Sequence, residues 1–225
     1  MTRQMIDSAF PLKTQPTPLA DIVLIYAGGD TPHPWTAAEI AAQPNRYRWP
    51  CWVRSDPQDV NAALDAGGFI AWLTQHHVPL HTAVILDLET AVNARYVNTF
   101  NEVLRAGGYQ VTKYGSRSTI WKNPKTDGGT FVAWPGHPNE MDHTGDTVAV
   151  QYEFHGDYDK SIVKSQADLP LWDTKPPEPW TPGRTAHAAY GHVVGWKPAG
   201  PVLFWAQLPV RERAGWEAAA KAVTG

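Results

Sequence analysis

The chain has 225 residues, a net charge of −3 and a pI near 6.3, which argues against a nucleic-acid partner because no basic stripe is present. Cys51 is its single cysteine, so no intrachain disulfide can form, and no apolar run approaches the ~20 residues of a membrane span. The opening MTRQMIDSAFPLKTQ lacks the long apolar core of a secretion signal, so the expectation is a soluble chain made in the cytoplasm.

The predicted elements run as follows. Met5 to Phe10 can start a sheet, and Pro11, Pro16 and Pro18 end regular structure after it. Asp21 to Ala27 reads as a second, buried strand, broken by Gly28-Gly29-Asp30-Thr31-Pro32. Thr36, with Glu39 three positions on, is a capping-box pattern for a helix through Gln43. Tyr47 to Val53 suggests a third strand, weakened by Pro50. Ser55-Asp56-Pro57 is a helix start, and that helix would run to about His77 with a soft point at Gly67-Gly68.

Ala83-Val-Ile-Leu-Asp-Leu-Glu-Thr90 is the most informative stretch. Its apolar density suits a strand buried on both faces, yet it carries Asp87 and Glu89 two positions apart, on one face of an extended chain. Two acids there are tolerable at a strand's C-terminal end, where parallel α/β sheets and barrels form their sites. Tyr96, Val97, Phe100, Val103 and Leu104 then follow helical spacing, with Gly107-Gly108 as the stop. Strands are expected at 109–114, 130–134, 147–152 and 157–163.

Strands alternating with helices, then strands alone, predict an α/β fold: a (β/α) TIM-like barrel, compact and irregular, over residues 1–173. An open doubly wound sheet is the competing architecture. Residues 174–185 form a proline-rich linker or strap, and 186–225 a C-terminal appendage with a terminal helix at Arg211 to Val223. The appendage is too short for its own core, so it should dock on the barrel, on a second copy or on a virion partner.

The order of motifs resembles the glycoside hydrolase family 25 lysozymes and the related glycoside-hydrolase-like domain of actinobacteria and their phages. The resemblance rests on Ile6-Asp7-Ser8, Leu86-Asp87-Leu88-Glu89, Tyr114-Gly-Ser-Arg-Ser118, Phe131-Val-Ala-Trp134, Gln151-Tyr152 and Tyr158-Asp159-Lys160, over roughly residues 5–165. Tyr26-Ala-Gly-Gly-Asp-Thr31 and Trp49-Pro-Cys-Trp-Val53 depart from the lysozyme pattern and lean toward the actinobacterial branch.

The resemblance implies a peptidoglycan glycosidase, either a phage lysin or a virion-associated wall hydrolase, with Glu89 as general acid and Asp87, Asp7 and Asp159 around it. Asp87 would raise the pKa of Glu89 by like-charge repulsion. Tyr26, Tyr114, Trp134 and Tyr152, near strand ends, are candidate cleft walls or barrel filling, and Gln151 could bond a sugar hydroxyl or acetamido group. The alternatives are a non-catalytic glycan-binding or virion structural module on the same barrel, and an unrelated cytoplasmic α/β domain. No metal-ligand set, phosphate loop or serine-nucleophile elbow is present in the sequence, so no cofactor is expected. The expected partner is a bacterial cell-wall glycan, with no nucleic acid and no membrane.

Overall fold

The computed structural model describes residues 3–12, 19–138, 146–164 and 169–174. The proline-rich linker and the terminal helix expected beyond Thr174 lie outside the described residues.

Strands β1 (Arg3–Asp7), β2 (Ile22–Gly29), β3 (Tyr47–Val53), β4 (Ala83–Asp87), β5 (Gln110–Ser116), β6 (Thr130–Ala133), β7 (Thr147–His155) and β8 (Tyr158–Val163) pair in sequence order. β8 then returns to β1, and β2 pairs with β3, so these strands close into a barrel rather than the open sheet that competed with it. All neighbours are parallel except β8, which runs antiparallel to both β7 and β1. A crossover helix is therefore unnecessary between β7 and β8, and a tight turn joins them.

Side chains alternate across each strand. Met5, Leu24, Trp49, Ile85, Phe131, Ala149 and Val163 fill the barrel, with Leu169 and Leu171 in the same cluster. The opposite faces of β4 and β5 pack under α2 (Ala62–Gln75) and α3 (Ala94–Ala106), where Phe69, Leu73, Phe100 and Leu104 cover Val84, Leu86 and Val111. A shorter helix, α1 (Ala37–Ala42), buries Ile40 against Val23 and Ile25. On the β6–β8 side the outer layer is Ile120, Val132, Trp134 and Val150, with the 3-10 turn Ile120–Lys122 in place of a full helix.

Several local features follow the sequence. Thr36 and Glu39 make the capping box of α1, and α3 buries Tyr96, Val97, Phe100 and Leu104 before its cap at Gly107. Others need correction. The first strand stops at Asp7, not Phe10. The helix predicted from Ser55 begins as a 3-10 turn at Asp59–Asn61 and becomes α-helical at Ala62. Tertiary bonds hold the intervening chain instead: Ser55 N–H donates to Asp30 Oδ2 at 2.9 Å, and the Pro57 carbonyl accepts from Asn93 Nδ2 at 2.8 Å.

Gly67-Gly68 sits inside a continuous helix, because Gly68 faces the Trp52 ring, which an added Cβ would meet at 3.2 Å. Pro50 is accommodated within β3. Pairing with β9 (Trp172–Asp173) ends at Arg48 and pairing with β4 begins at Cys51, so the missing N–H falls in the gap between those two partners.

Candidate active site

The C-terminal ends of the parallel strands carry the predicted acids. Met5 and Asp7 share the inner face of β1, and Ile85 and Asp87 share that of β4, so both acids stand at the barrel mouth. Because β8 is antiparallel, Asp159 near its start lies at this same rim, in direct register with Asp7.

A hydrogen-bonded scaffold holds these groups. Tyr26 Oη donates to Asp7 Oδ1 at 2.9 Å. Tyr114 Oη donates to Gln151 Oε1, which turns the amide so that Gln151 Nε2 donates to Asp159 Oδ2 at 2.6 Å. Burial pushes Asp7 up to about 7, helped by the neighbouring Asp159 charge and opposed by the Tyr26 hydroxyl. Burial also pushes Asp87 up to about 8; the Glu89 N–H opposes this, while the charges of Glu89 and Asp7 add to it. Asp159 is raised by burial, against donation from the His155 backbone N–H and the Gln151 amide. Tyr26 and Tyr114 are pushed far up, mainly by burial, and remain neutral donors.

Glu89 departs from the strand-face expectation. β4 ends at Asp87, Leu88 packs into the helix-side core, and Glu89 takes a left-handed backbone with φ 47°. Its N–H donates to Asp87 Oδ1 at 2.9 Å, and its carbonyl accepts the Ser116 N–H at 2.7 Å. The side chain is exposed just beyond the rim. Gly115 makes this turn possible, since a Cβ there would lie 2.7 Å from the Glu89 carbonyl oxygen. A glutamate kept at positive φ is a strained conformation of the kind that clusters at functional sites. Asp87, not Glu89, is the buried member of the pair.

Tyr26, Tyr114 and Gln151 belong to the mouth. Trp134 and Tyr152 do not: both pack in the outer layer with Val132 and Val150. The Arg117 guanidinium lies 4.0 Å over the Trp134 ring, and Tyr152 Oη donates to Gln4 Oε1 at 3.2 Å. Adjacent residues of a strand face opposite sides, so Gln151 and Tyr152 could not both point inward.

A groove of about 690 Å³ opens beside Asp7 and Asp159. Its walls are the segment Ser8–Leu12 and the turn from His155 to Tyr158, with Tyr26 between them. Neither Asp87 nor Glu89 lines it. The sequence reading missed Phe10, His155 and Tyr158 as lining residues of this groove; the signals were the position of 8–12 immediately after Asp7 and of Tyr158 immediately before Asp159. Among the described residues no three of His, Cys, Asp and Glu are placed to hold a metal ion.

The chain matches no protein-family model and no curated protein. Solved structures share its fold. An uncharacterized protein of B. stearothermophilus superposes with a TM-score of 0.59 at 13% identity, over 76% of this chain and all of that one (100%). The modular autolysin LytC from Streptococcus pneumoniae, solved with a synthetic peptidoglycan ligand, superposes at 0.56 and 16% identity over 72% of this chain and 47% of that one. The catalytic domain of endolysin ply40 from bacteriophage P40 of Listeria monocytogenes gives 0.54 and 14% over 76% and 96%. The barrel is thus an architecture that wall-lytic proteins also use.

Proposed function

We propose that this barrel hydrolyses a glycosidic bond in bacterial cell-wall polysaccharide, with peptidoglycan as the leading substrate class and a phage lysin or virion-associated enzyme as the setting. The observation that carries this reading is the gathering of Asp7, Asp87 and Asp159, from β1, β4 and β8, at one barrel rim, with Glu89 on the turn that leaves β4. Fold likeness to an autolysin and an endolysin supports it.

In this reading Glu89, presented by its strained turn, protonates the leaving oxygen as the glycosidic C–O bond breaks, and a water then adds to the anomeric carbon and returns a proton to Glu89. Asp87 is a positioning residue that fixes the turn through the Glu89 N–H. Asp159, which accepts from the Gln151 amide, supplies negative charge to an oxocarbenium-like transition state.

A second reading has one observation in its favour. The groove beside Asp7 and Asp159 excludes Glu89, as a glycan-binding module without catalysis would allow. Release of reducing ends from purified actinobacterial walls separates the two. Wild type should release them, and Glu89→Gln should lower the rate by about 10²-fold or more. Equal rates remove Glu89 from the mechanism, and wall binding without product favours the binding module.

A further inference from the structure

The two walls of the groove are built alike. On one, Phe10 is 56% exposed and stacks on His33, with ring centroids 5.3 Å apart and planes at 29°. His33 Nε2 lies 2.9 Å from Glu39 Oε1, and the other carboxylate oxygen of Glu39 closes the capping box of α1. On the other wall Tyr158 stacks on His155 at 4.8 Å and 17°, and His155 Nε2 lies 2.7 Å from Glu153 Oε1. Each wall therefore sets an aromatic ring on an imidazole with a glutamate beside it, and on the Phe10 wall that glutamate hydrogen-bonds the imidazole. Ser8 Oγ donates to the Asp157 carbonyl at 2.8 Å and ties the walls together, while Trp35 Nε1 reaches the Ala9 carbonyl at 3.4 Å.

Rings held this way lose little freedom on binding, which favours a flat apolar partner. Three acids, Asp7, Asp157 and Asp159, line the groove as well. His155, its basic lining group, has the Glu153 carboxylate beside it. A ligand that fits needs an apolar face, hydroxyl donors on its edge and no negative charge of its own.

We propose that this groove is a binding subsite for an uncharged sugar ring, flanked by Phe10 and Tyr158, with Asp159 accepting a hydroxyl proton, and that it rejects acidic sugars. The assignment rests on the glycan reading above for its ligand class, and not on catalysis by Glu89.

The test uses the full-length chain carrying Glu89→Gln, so that no probe is consumed, in calorimetric titrations with neutral tetra-N-acetylchitotetraose and acidic tetragalacturonate. The neutral probe should bind about tenfold or more tightly than the acidic one. Phe10→Ala and Tyr158→Ala should each weaken it by about tenfold, with Tyr158→Phe retaining most affinity and circular dichroism unchanged throughout. No binding of the neutral probe, equal binding of both probes, or insensitivity to both alanine variants overturns the subsite. Reducing-end release by the unmutated chain is measured in parallel. An inert chain whose binding still depends on Phe10 and Tyr158 removes the hydrolase reading and keeps the subsite. An active chain whose binding ignores both rings removes the subsite alone.

Discussion

Asp7 on β1 and Asp159 on β8 are register partners across an antiparallel pair, two inward-facing acids directly opposite one another. Like charges so placed are destabilising. The barrel accommodates them by giving each its own donor, Tyr26 for Asp7 and Gln151 for Asp159.

Stability should fall as pH rises. Asp7 and Asp87 are raised from 3.8 to about 7 and about 8, so above the unfolded value the folded chain keeps protons that the unfolded chain releases. Unfolding therefore sheds protons through that window, and alkali favours it until both groups ionise in the folded state. Thermal melts at about pH 5 and about pH 9 should show a lower midpoint at the higher pH. Asp87→Asn keeps an acceptor for the Glu89 N–H and should flatten the dependence, bringing the midpoint at about pH 9 closer to that at about pH 5. A wild-type midpoint independent of pH would contradict this.

Gly115→Ala should damage the Glu89 turn. The new methyl would sit 2.7 Å from the Glu89 carbonyl oxygen and 3.3 Å from Ile120 Cδ1, and the first of these is backbone that cannot swing away. A loss of about 1–3 kcal/mol in urea unfolding is expected, together with reduced wall lysis. Full activity in this variant would mean that the turn geometry is dispensable.

The link between β3 and the helices depends on Asp65. Both of its carboxylate oxygens accept from Arg54 at 3.0 Å, and Oδ2 also accepts the Tyr96 hydroxyl at 2.7 Å. Asp65→Ala leaves a mostly buried guanidinium with only Asp30 and should cost about 3–5 kcal/mol. Replacing Arg54 and Asp65 together with Met and Leu should recover much of that loss, as urea titration of the pair would show.

Phe131 couples the barrel core to the site. Its ring lies 5.7 Å from Trp49 and 4.4 Å from Tyr114, whose hydroxyl orients Gln151. Phe131→Ala should cost about 3–5 kcal/mol through the cavity it leaves. It should also weaken glycan binding, since Tyr114 loses the ring it leans on. Unchanged binding in a folded variant would separate the core from the mouth.

Much of this arrangement is legible in the sequence. Period-two alternation places Asp7 and Asp87 on the same faces as Met5 and Ile85, and the capping box and the α3 stripe are local signals. The same alternation, applied to Gln151 and Tyr152, would have sent Tyr152 outward. Glu89 escaped it because Asp87 captures its N–H and a glycine on the next strand admits a left-handed turn, a tertiary cause. β9 is only two residues long, and Pro50 reads as a breaker until its strand partners are known. The groove is the least legible feature, since Phe10 and Tyr158 line it from positions well over a hundred residues apart in the chain.

The reversed direction of β8 has a further consequence. One bank of the groove is a hairpin tip instead of a segment leading into a helix, so it can lengthen, shorten or exchange residues without moving the surrounding helical jacket. Residues of this tip can thus change while Asp7 and Asp87, on β1 and β4, stay where they are, so that one bank of the groove varies apart from most of the rim.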